Sequence, residues 1–370
     1  MRIYKAATDR FKYVFDFPFS NEVLYSCRLL KTTYGPGAIN FYMGRWRFNN
    51  PKIAFDIKKD FPETLIDQTM QEDLEKYEIE NKLEKMRIEK AEKLKVATDT
   101  SFKVKGIKGE LYDFQRVGVE FLINSNGRAI LNSDMGTGKS VQALAYAVHE
   151  KIDKILVITP ASTKWAWSGE VKKWTNFKPF VIDGKTKFSF DIYNNYDIFI
   201  INFDLLKKFI IILKSFHINL VIVDECQKIK SITAIRSKLT KEIARNASRV
   251  LLLTGTLMLS RPCELFNSLN LIDSMTWNDW YFFTKKYCAG HQSRWGYDFS
   301  GASNIEELKN KISKYYIRHI KEDVLKNLPS KIFIDIPIEL DDISRFKYTL
   351  ALYELKEYLK IIKKKDNFEI

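Results

Sequence analysis

The stretch AILNSDMGTGKS, residues 129–140, decides how the rest of the chain is read. A short apolar run stops at a loop with glycines at 136 and 138, and the helix-forming SVQALAYAVH follows from residue 140. The loop fits G-x-x-x-x-G-K-[ST], with Ser133 standing where the first glycine would be. Gly136 and Gly138 carry no side chain to block backbone amides from turning toward phosphate oxygens. The helix starting near Lys139 adds its dipole and its free N–H groups. Lys139 is expected to reach β- and γ-phosphates and Ser140 to place its hydroxyl on Mg²⁺. Asp134, Met135, Gly136, Thr137, Gly138, Lys139 and Ser140 are therefore the expected cradle, with ATP and Mg²⁺ as the cofactors.

Outward from this loop, short Ile/Val/Leu-rich runs recur between helical stretches: 128–132, 154–159, 197–202, 219–224, 249–254 and 331–336. Continuous apolar strands alternating with helices imply an α/β fold with a central parallel sheet covered on both faces. Ligands of such sheets sit outside the carboxyl ends of the strands. The run LVIVDECQ ends there in Asp224 and Glu225. Asp224 is expected to hold the Mg²⁺ shell and Glu225 to orient and deprotonate an attacking water. These two motifs alone also fit a small-molecule kinase. At the end of LLLTGT, Thr254 and Thr256 flank Gly255. Their short hydroxyls are expected to sense the acidic site and couple its state to the rest of the chain. Upstream, LYDFQRVGVEFLI (111–123) has one apolar helical face, and Gln115 has the donor and acceptor for a bidentate contact to adenine.

The 370 residues suffice for about two domains at ~100–200 residues each. A formal charge of +14 favours a polyanionic partner, nucleic acid first. Cys27, Cys226, Cys263 and Cys288 form no C-x-x-C pair, which argues against a disulfide scaffold or zinc ribbon. Cys288 and His291 are read as packing. No run of ~18 apolar residues is present, so no membrane partner is expected, and the N-terminus lacks a signal-peptide pattern. An intracellular location is expected: cytoplasm or nucleoid of a bacterium or phage-infected cell, or the nucleus of a eukaryote.

Residues 1–60 are rich in aromatics and cations and read as a small α+β module, with a helix over 21–33, a turn at 35–37 and a hairpin over 38–50. Residues 61–100 are highly charged and free of glycine, and read as a helical connector. Residues 101–340 are the nucleotide-binding lobe, and 341–370 a helical passage toward a second lobe.

The order of the motifs carries a resemblance. DFQRVGVEFL, DMGTGKS, ILVITPASTKWAWSGEVKKW, VDECQKIKS, LLLTGTLMLSRPCELFNSL and YYIRHIKEDVLKNLPSK follow one another at suitable spacing. Together they resemble the first RecA-like lobe of the Swi/Snf-type DNA translocases of helicase superfamily two. The closest likeness is to the annealing-helicase branch, in which a small HARP-type module often precedes the lobe. Residues 1–60 look similar to that module. The resemblance implies an ATP-driven motor that moves on duplex, forked or branched DNA and rewinds or remodels it, in repair or recombination. It implies that Gln115 contacts adenine, that Gln227 joins Lys139, Asp224 and Glu225 as a catalytic residue, and that Thr254, Gly255 and Thr256 form motif III. Trp167 and Glu170 fall on the family's W..E. Departures are Ser133 for an acidic residue, Gln227 for the usual His, Leu257 for Pro, Ser260 for Asn and His319 for the second Arg of the IRR block.

The resemblance also implies a second RecA-like lobe, on another chain or beyond this fragment. Without its arginine, worth ~10³–10⁵ in rate, slow hydrolysis is expected. The alternatives are a nucleotide-gated DNA-binding or adaptor subunit without productive hydrolysis, and an RNA helicase lobe. Candidate DNA contacts are Lys164, Lys172 and Lys173 after the apolar run 154–159 and Lys228, Lys230 and Arg236 after the acidic pair. In the N-terminal module they are Arg45, Trp46 and Arg47, with Trp46 either stacking on unpaired bases or facing inward with Phe48.

Overall fold

The computed structural model describes residues 1–8, 11–18, 20–34, 39–42, 44–187, 189–257, 260–294, 296–325, 336–355 and 359. Met1–Leu325 forms one compact unit and Lys326–Ile370 another. In the second unit, helix Asp342–Tyr353 is capped by Asp341, whose carboxylate accepts from the Ser344 amide at 2.8 Å.

The first unit begins with a five-stranded sheet: β1 (Arg2–Thr8), β2 (Phe11–Asp16), β3 (Ile39–Tyr42), β4 (Arg45–Phe48) and β5 (Leu65–Ile66), in the order β3-β4-β2-β1-β5. The hairpin expected over 38–50 is β3–β4, paired antiparallel with Phe41 opposite Trp46. The expected turn at 35–37 lies outside the described residues. Alternation along β4 sends Trp46 and Phe48 into the core with Tyr13, Phe15 and Ile39, while Arg45 is exposed and Arg47 half-buried. Trp46 is 3% exposed and packs on Phe41 with ring centroids 5.2 Å apart. It is thus a core residue: of the two readings of Trp46, the inward-facing one is what the structure has, and it leaves the expected DNA contact to Arg45 and Arg47. β5 joins beside β1, so the sheet takes a strand from beyond residue 60.

Helix Gln68–Val96 follows, with the Asp67 carboxylate accepting from the Thr69 amide at 3.0 Å. Its 29 residues span about 43 Å. Met70 and Leu74 are buried against the N-terminal sheet, and Leu94 against the larger sheet's core. Between them Ile79, Leu83 and Met86 are exposed. The helix is anchored at its two ends and solvated in the middle.

The larger sheet uses β6 (Arg128–Asn132), β7 (Ile155–Thr159), β8 (Pro179–Val181), β9 (Ile198–Asn202), β10 (Leu220–Asp224) and β11 (Arg249–Thr254). A two-stranded hairpin, β12 (His291–Ser293) and β13 (Gly296–Asp298), stands apart, and β14 (Tyr316–Ile317) completes the sheet. The order is β14-β6-β11-β10-β7-β9-β8, all parallel. Successive residues of each strand alternate between two cores. Leu156, Ile158, Val221, Val223, Val250 and Leu252 pack on one face; Ile155, Val157, Leu220, Ile222, Leu251 and Leu253 pack on the other. Helices cover both faces, which is why the strands read as unbroken apolar runs. Five of the six expected runs are strands. The sixth, 331–336, lies outside the described residues except for Ile336. Among the described residues no helix is long and apolar enough to cross a membrane. Cys27, Cys226, Cys263 and Cys288 are all free and buried, and burial pushes the Cys288 thiol up to about 12.

Candidate nucleotide site

Register brings the chemistry to one edge. Asn132 lies opposite Thr254, Leu253 opposite Asp224, and Val223 opposite Ile158, so β6, β11, β10 and β7 end together. Because β11 lies between β6 and β10, Thr254 stands between the glycine loop and the acidic pair, about 5 Å from each strand.

The loop turns through Gly136 (φ +83°) and Gly138 (φ +76°), a region closed to most side chains. A Cβ on Gly138 would collide with Gln115 Nε2. Helix Lys139–His149 begins at once. Lys139 Nζ donates to the carbonyls of Ser133 at 2.7 Å and Asp134 at 3.1 Å, bending back over the loop. Burial lowers the pKa of the Lys139 ammonium, and the charges of Glu225, Asp224 and Asp134 oppose that loss. A cation desolvated in this way, facing three carboxylates and held only by neutral carbonyls, suits an incoming phosphate.

Gln115 is 7% exposed and spends both ends of its amide on backbone: Oε1 accepts from the Tyr112 amide at 3.1 Å, and Nε2 donates to the Thr137 carbonyl at 3.2 Å. Gln142 Nε2 donates to the same carbonyl at 3.3 Å. Two buried amides thus clamp the loop at Thr137. Asp134 is fixed from another direction. Its N–H donates to the His319 carbonyl at 3.1 Å, and its carboxylate accepts from the Lys321 amide at 2.9 Å. The His319 amide donates to Ser133 Oγ at 3.0 Å, so two of the sequence's departures meet in space. Burial pushes His319 down to about 4, its ring lies edge-on to Phe114, and neither ring nitrogen has a partner among the described residues.

The acidic pair is equally constrained. Asp224 Oδ2 accepts from Trp167 Nε1 at 2.8 Å and from Thr159 Oγ1 at 2.9 Å. Glu225 has φ +51°, which turns its side chain off the strand. Its Oε2 accepts from Gln227 Nε2 at 2.6 Å, and Gln227 Oε1 lies 2.8 Å from Thr254 Oγ1. Thr254 Oγ1 accepts in turn from the Thr256 amide at 2.9 Å. A relay therefore runs from Thr256 through Thr254 and Gln227 to Glu225. Gly255 lies over the loop, where an added Cβ would come within 3.7 Å of Met135 Cγ.

Lys139, Asp224, Glu225, Gln227, Thr254 and the loop are thus assembled at one place. Ser140 is the second residue of the helix that Lys139 opens. The expected DNA contacts are elsewhere. Lys164 is half-buried and donates to the Ile182 carbonyl at 3.2 Å; Lys230 pairs with Glu264 at 2.9 Å; Arg236 is exposed. Arg45 pairs with Asp16 at 3.4 Å and donates to Tyr4 Oη at 3.2 Å. Sequence reasoning missed Gln142, the bond from Trp167 to Asp224, and Lys321. The Lys321 ammonium lies 3.6 Å from where a Cβ on Gly136 would be, a second cation against the loop.

A parallel sheet with this loop and acidic pair at its carboxyl edge defines a RecA-like lobe. Residues 114–369 match the family model of the SNF2-related domain, and the chain belongs to that family. It is 34% identical over 230 residues to the Xenopus laevis SWI/SNF-related matrix-associated actin-dependent regulator of chromatin subfamily A-like protein 1, covering 60% of this chain and 23% of that protein. It is 33% identical over 249 residues to the human DNA annealing helicase and endonuclease ZRANB3, covering 63% of this chain and 23% of that one. The chain thus spans about a quarter of the length of these relatives. The Sulfolobus solfataricus SWI2/SNF2 ATPase core in complex with dsDNA has the same fold, with a TM-score of 0.53 at 24% identity over 62% of this chain and 49% of that one. The chain therefore carries an SNF2-related domain on a RecA-like fold.

Proposed function

We propose that this chain is the ATP-binding lobe of a DNA-dependent ATPase that translocates on duplex or forked DNA and remodels or reanneals it. The relay from Thr254 through Gln227 to Glu225 is the observation that carries this reading. It joins a strand end beside the nucleotide loop to the carboxylate best placed to act as base, which is what coupling hydrolysis to movement requires. Lys139, Ser140 and the loop amides would hold the phosphates, and Asp224 with Ser140 would hold Mg²⁺. The metal would neutralise charge developing on the phosphates. Trp167 and Thr159 fix Asp224 Oδ2, and the Glu225 amide donates to Oδ1 at 3.1 Å, so the carboxylate is held at both oxygens. Gln115, committed to Tyr112 and Thr137, would reach adenine only along its amide edge, so its first duty is to hold the loop.

A second RecA-like lobe completes the site in this reading. Among the described residues, the hydrogen-bond partners of Lys139, Asp224, Glu225 and Gln227 include no arginine. A catalytic arginine is worth ~10³–10⁵ in rate. DNA would lie across Lys164, Lys230 and Arg236, with Arg45 and Arg47 of the N-terminal module adding phosphate contacts. In the Lys230–Glu264 pair the lysine is part-exposed while the carboxylate is largely buried and also accepts from Ser260. We assign residues 1–60 to a HARP-like substrate module, 61–100 to the connector, 101–340 to the lobe and 341–370 to the passage toward the second lobe.

The deciding experiment measures ATP binding and turnover by the full chain with and without forked DNA, beside Lys139→Ala. Nucleotide binding lost in the variant, with weak DNA-stimulated turnover, is expected. Nucleotide binding that survives Lys139→Ala would sink the assignment of the loop. DNA that leaves both binding and turnover unchanged would sink the motor.

A further inference from the structure

An open cleft with a volume of about 390 Å³ lies at the amino-terminal end of β6, away from the nucleotide loop. Five residues of strand separate the two, roughly 15 Å. The cleft is lined by Arg128, Lys241, Arg245 and Lys314. The Arg128 guanidinium is locked in place by three carbonyls, donating to Ala247 at 2.8 Å, Leu271 at 2.9 Å and Ser248 at 3.2 Å. None of those bonds cancels its charge. Lys241 and Arg245 stand one turn apart at the end of helix Ile235–Ala244, a spacing at which like charges repel. Among the described residues no carboxylate pairs with either. Burial, and then the charge of Arg245, lower the Lys241 pKa, a penalty that a bound anion would remove.

Among the described residues Asp273 is the one acidic residue that lines the cleft, and it already accepts hydrogen bonds. Its Oδ2 accepts from Tyr315 Oη at 2.7 Å, and its Oδ1 accepts from the amides of Thr276 at 3.0 Å and Met275 at 3.1 Å. The charge of Asp273 acts on Arg128 and Lys314, which leaves Lys241 and Arg245 as the cations of this concave space that no carboxylate answers among the described residues. Guanidinium and ammonium groups converging on one space match the several oxygens of a phosphate better than the two of a carboxylate.

We infer that this cleft is a phosphate-binding site distinct from the nucleotide loop, with Lys241 and Arg245 as its principal ligands and Arg128 and Lys314 completing the positive wall. The phosphate is that of a small free phosphoanion or of a nucleic acid strand end. The inference does not depend on the motor reading.

The test is calorimetric titration of inorganic pyrophosphate into the full-length Lys139→Ala chain, in which the nucleotide loop is disabled. Saturable binding is expected. Replacing both Lys241 and Arg245 by alanine, a strong helix former, is expected to weaken it at least tenfold with the melting temperature unchanged. Should that variant melt lower, Lys314→Ala serves instead, with a loss of about threefold or more expected. A 5′-phosphorylated oligonucleotide that displaces pyrophosphate where its unphosphorylated counterpart does not identifies a strand end as the source; displacement by neither identifies a free anion. Absence of pyrophosphate binding, or binding indifferent to these substitutions, overturns the site.

Discussion

Gly118→Ala tests how the nucleotide loop is held. Gly118 lies inside helix Asp113–Asn124, where alanine would ordinarily add about 0.5–1 kcal/mol of stability. Here a Cβ would collide with Gln142 Oε1 and come within 2.9 Å of its Cδ. Gln142 is fully buried, so its amide has no solvent to escape into and must abandon the Thr137 carbonyl. A buried amide left without its partner costs about 1–3 kcal/mol, and overpacking costs about 1–3 kcal/mol more. Setting the helix gain against both leaves a net loss of about 3 kcal/mol. For a lobe of this size the melting temperature should fall by roughly 6–12 °C. Nucleotide affinity should fall with it, because the Thr137 carbonyl keeps only Gln115. On a Gln142→Ala background the obstacle is gone, and the same substitution should become stabilising by about 0.5–1 kcal/mol. Thermal unfolding of the wild type, both single variants and the double variant reads out the cycle. A Gly118→Ala chain that melts at or above wild type would refute the clamp, as would an equal loss on the Gln142→Ala background.

Thr254→Val removes the hydroxyl from the relay while keeping its volume; ATP turnover should drop about ten- to a hundredfold with nucleotide Kd within about twofold, a split that a merely structural defect would not produce. Trp167→Phe deletes the N–H on Asp224, so Mg²⁺-dependent nucleotide binding should weaken about tenfold while binding measured in EDTA stays the same. Lys321→Ala should raise the nucleotide Kd about three- to tenfold without lowering the melting temperature, since the bond to Asp134 comes from the backbone amide. His319, with its pKa pushed from the ordinary 6.5 to about 4, is kept neutral by burial. The unfolded chain binds the extra proton first, so its contribution is intact above pH 6.5 and is lost as pH falls toward 4, by about 3 kcal/mol. Urea unfolding across that range should show this slope in the wild type and a shallower one in His319→Phe.

The phosphate loop and the acidic pair were legible because few residue types can do that chemistry at a strand end. Five strands of the larger sheet were legible because each is buried on both faces and so reads as an apolar run. β8 and β14 were not, since three or two residues at a sheet edge leave no pattern. β1 and β2 were missed: β1 mixes charged, aromatic and small residues with Ile3 as its buried apolar member, and the aromatic alternation of β2 is only six residues long. Trp46 was ambiguous in sequence, and only the pairing of β4 with β2 and β3 decides that it faces inward. The roles of Gln142, His319 and Lys321 were invisible for a different reason: the last two meet Asp134 from more than 180 positions away, through backbone atoms that every residue type possesses.

That last contact gives the lobe a mechanical property. After pairing with β6 as β14, the chain is bonded to the loop: His319 to Ser133 and Asp134, and Lys321 to Asp134. Tension applied to the chain beyond Leu325 therefore arrives at the phosphate cradle before it reaches any other part of the sheet. A force on the exit strand and a change in what the loop holds act on the same few atoms, as a cable and a latch do when they share one pin.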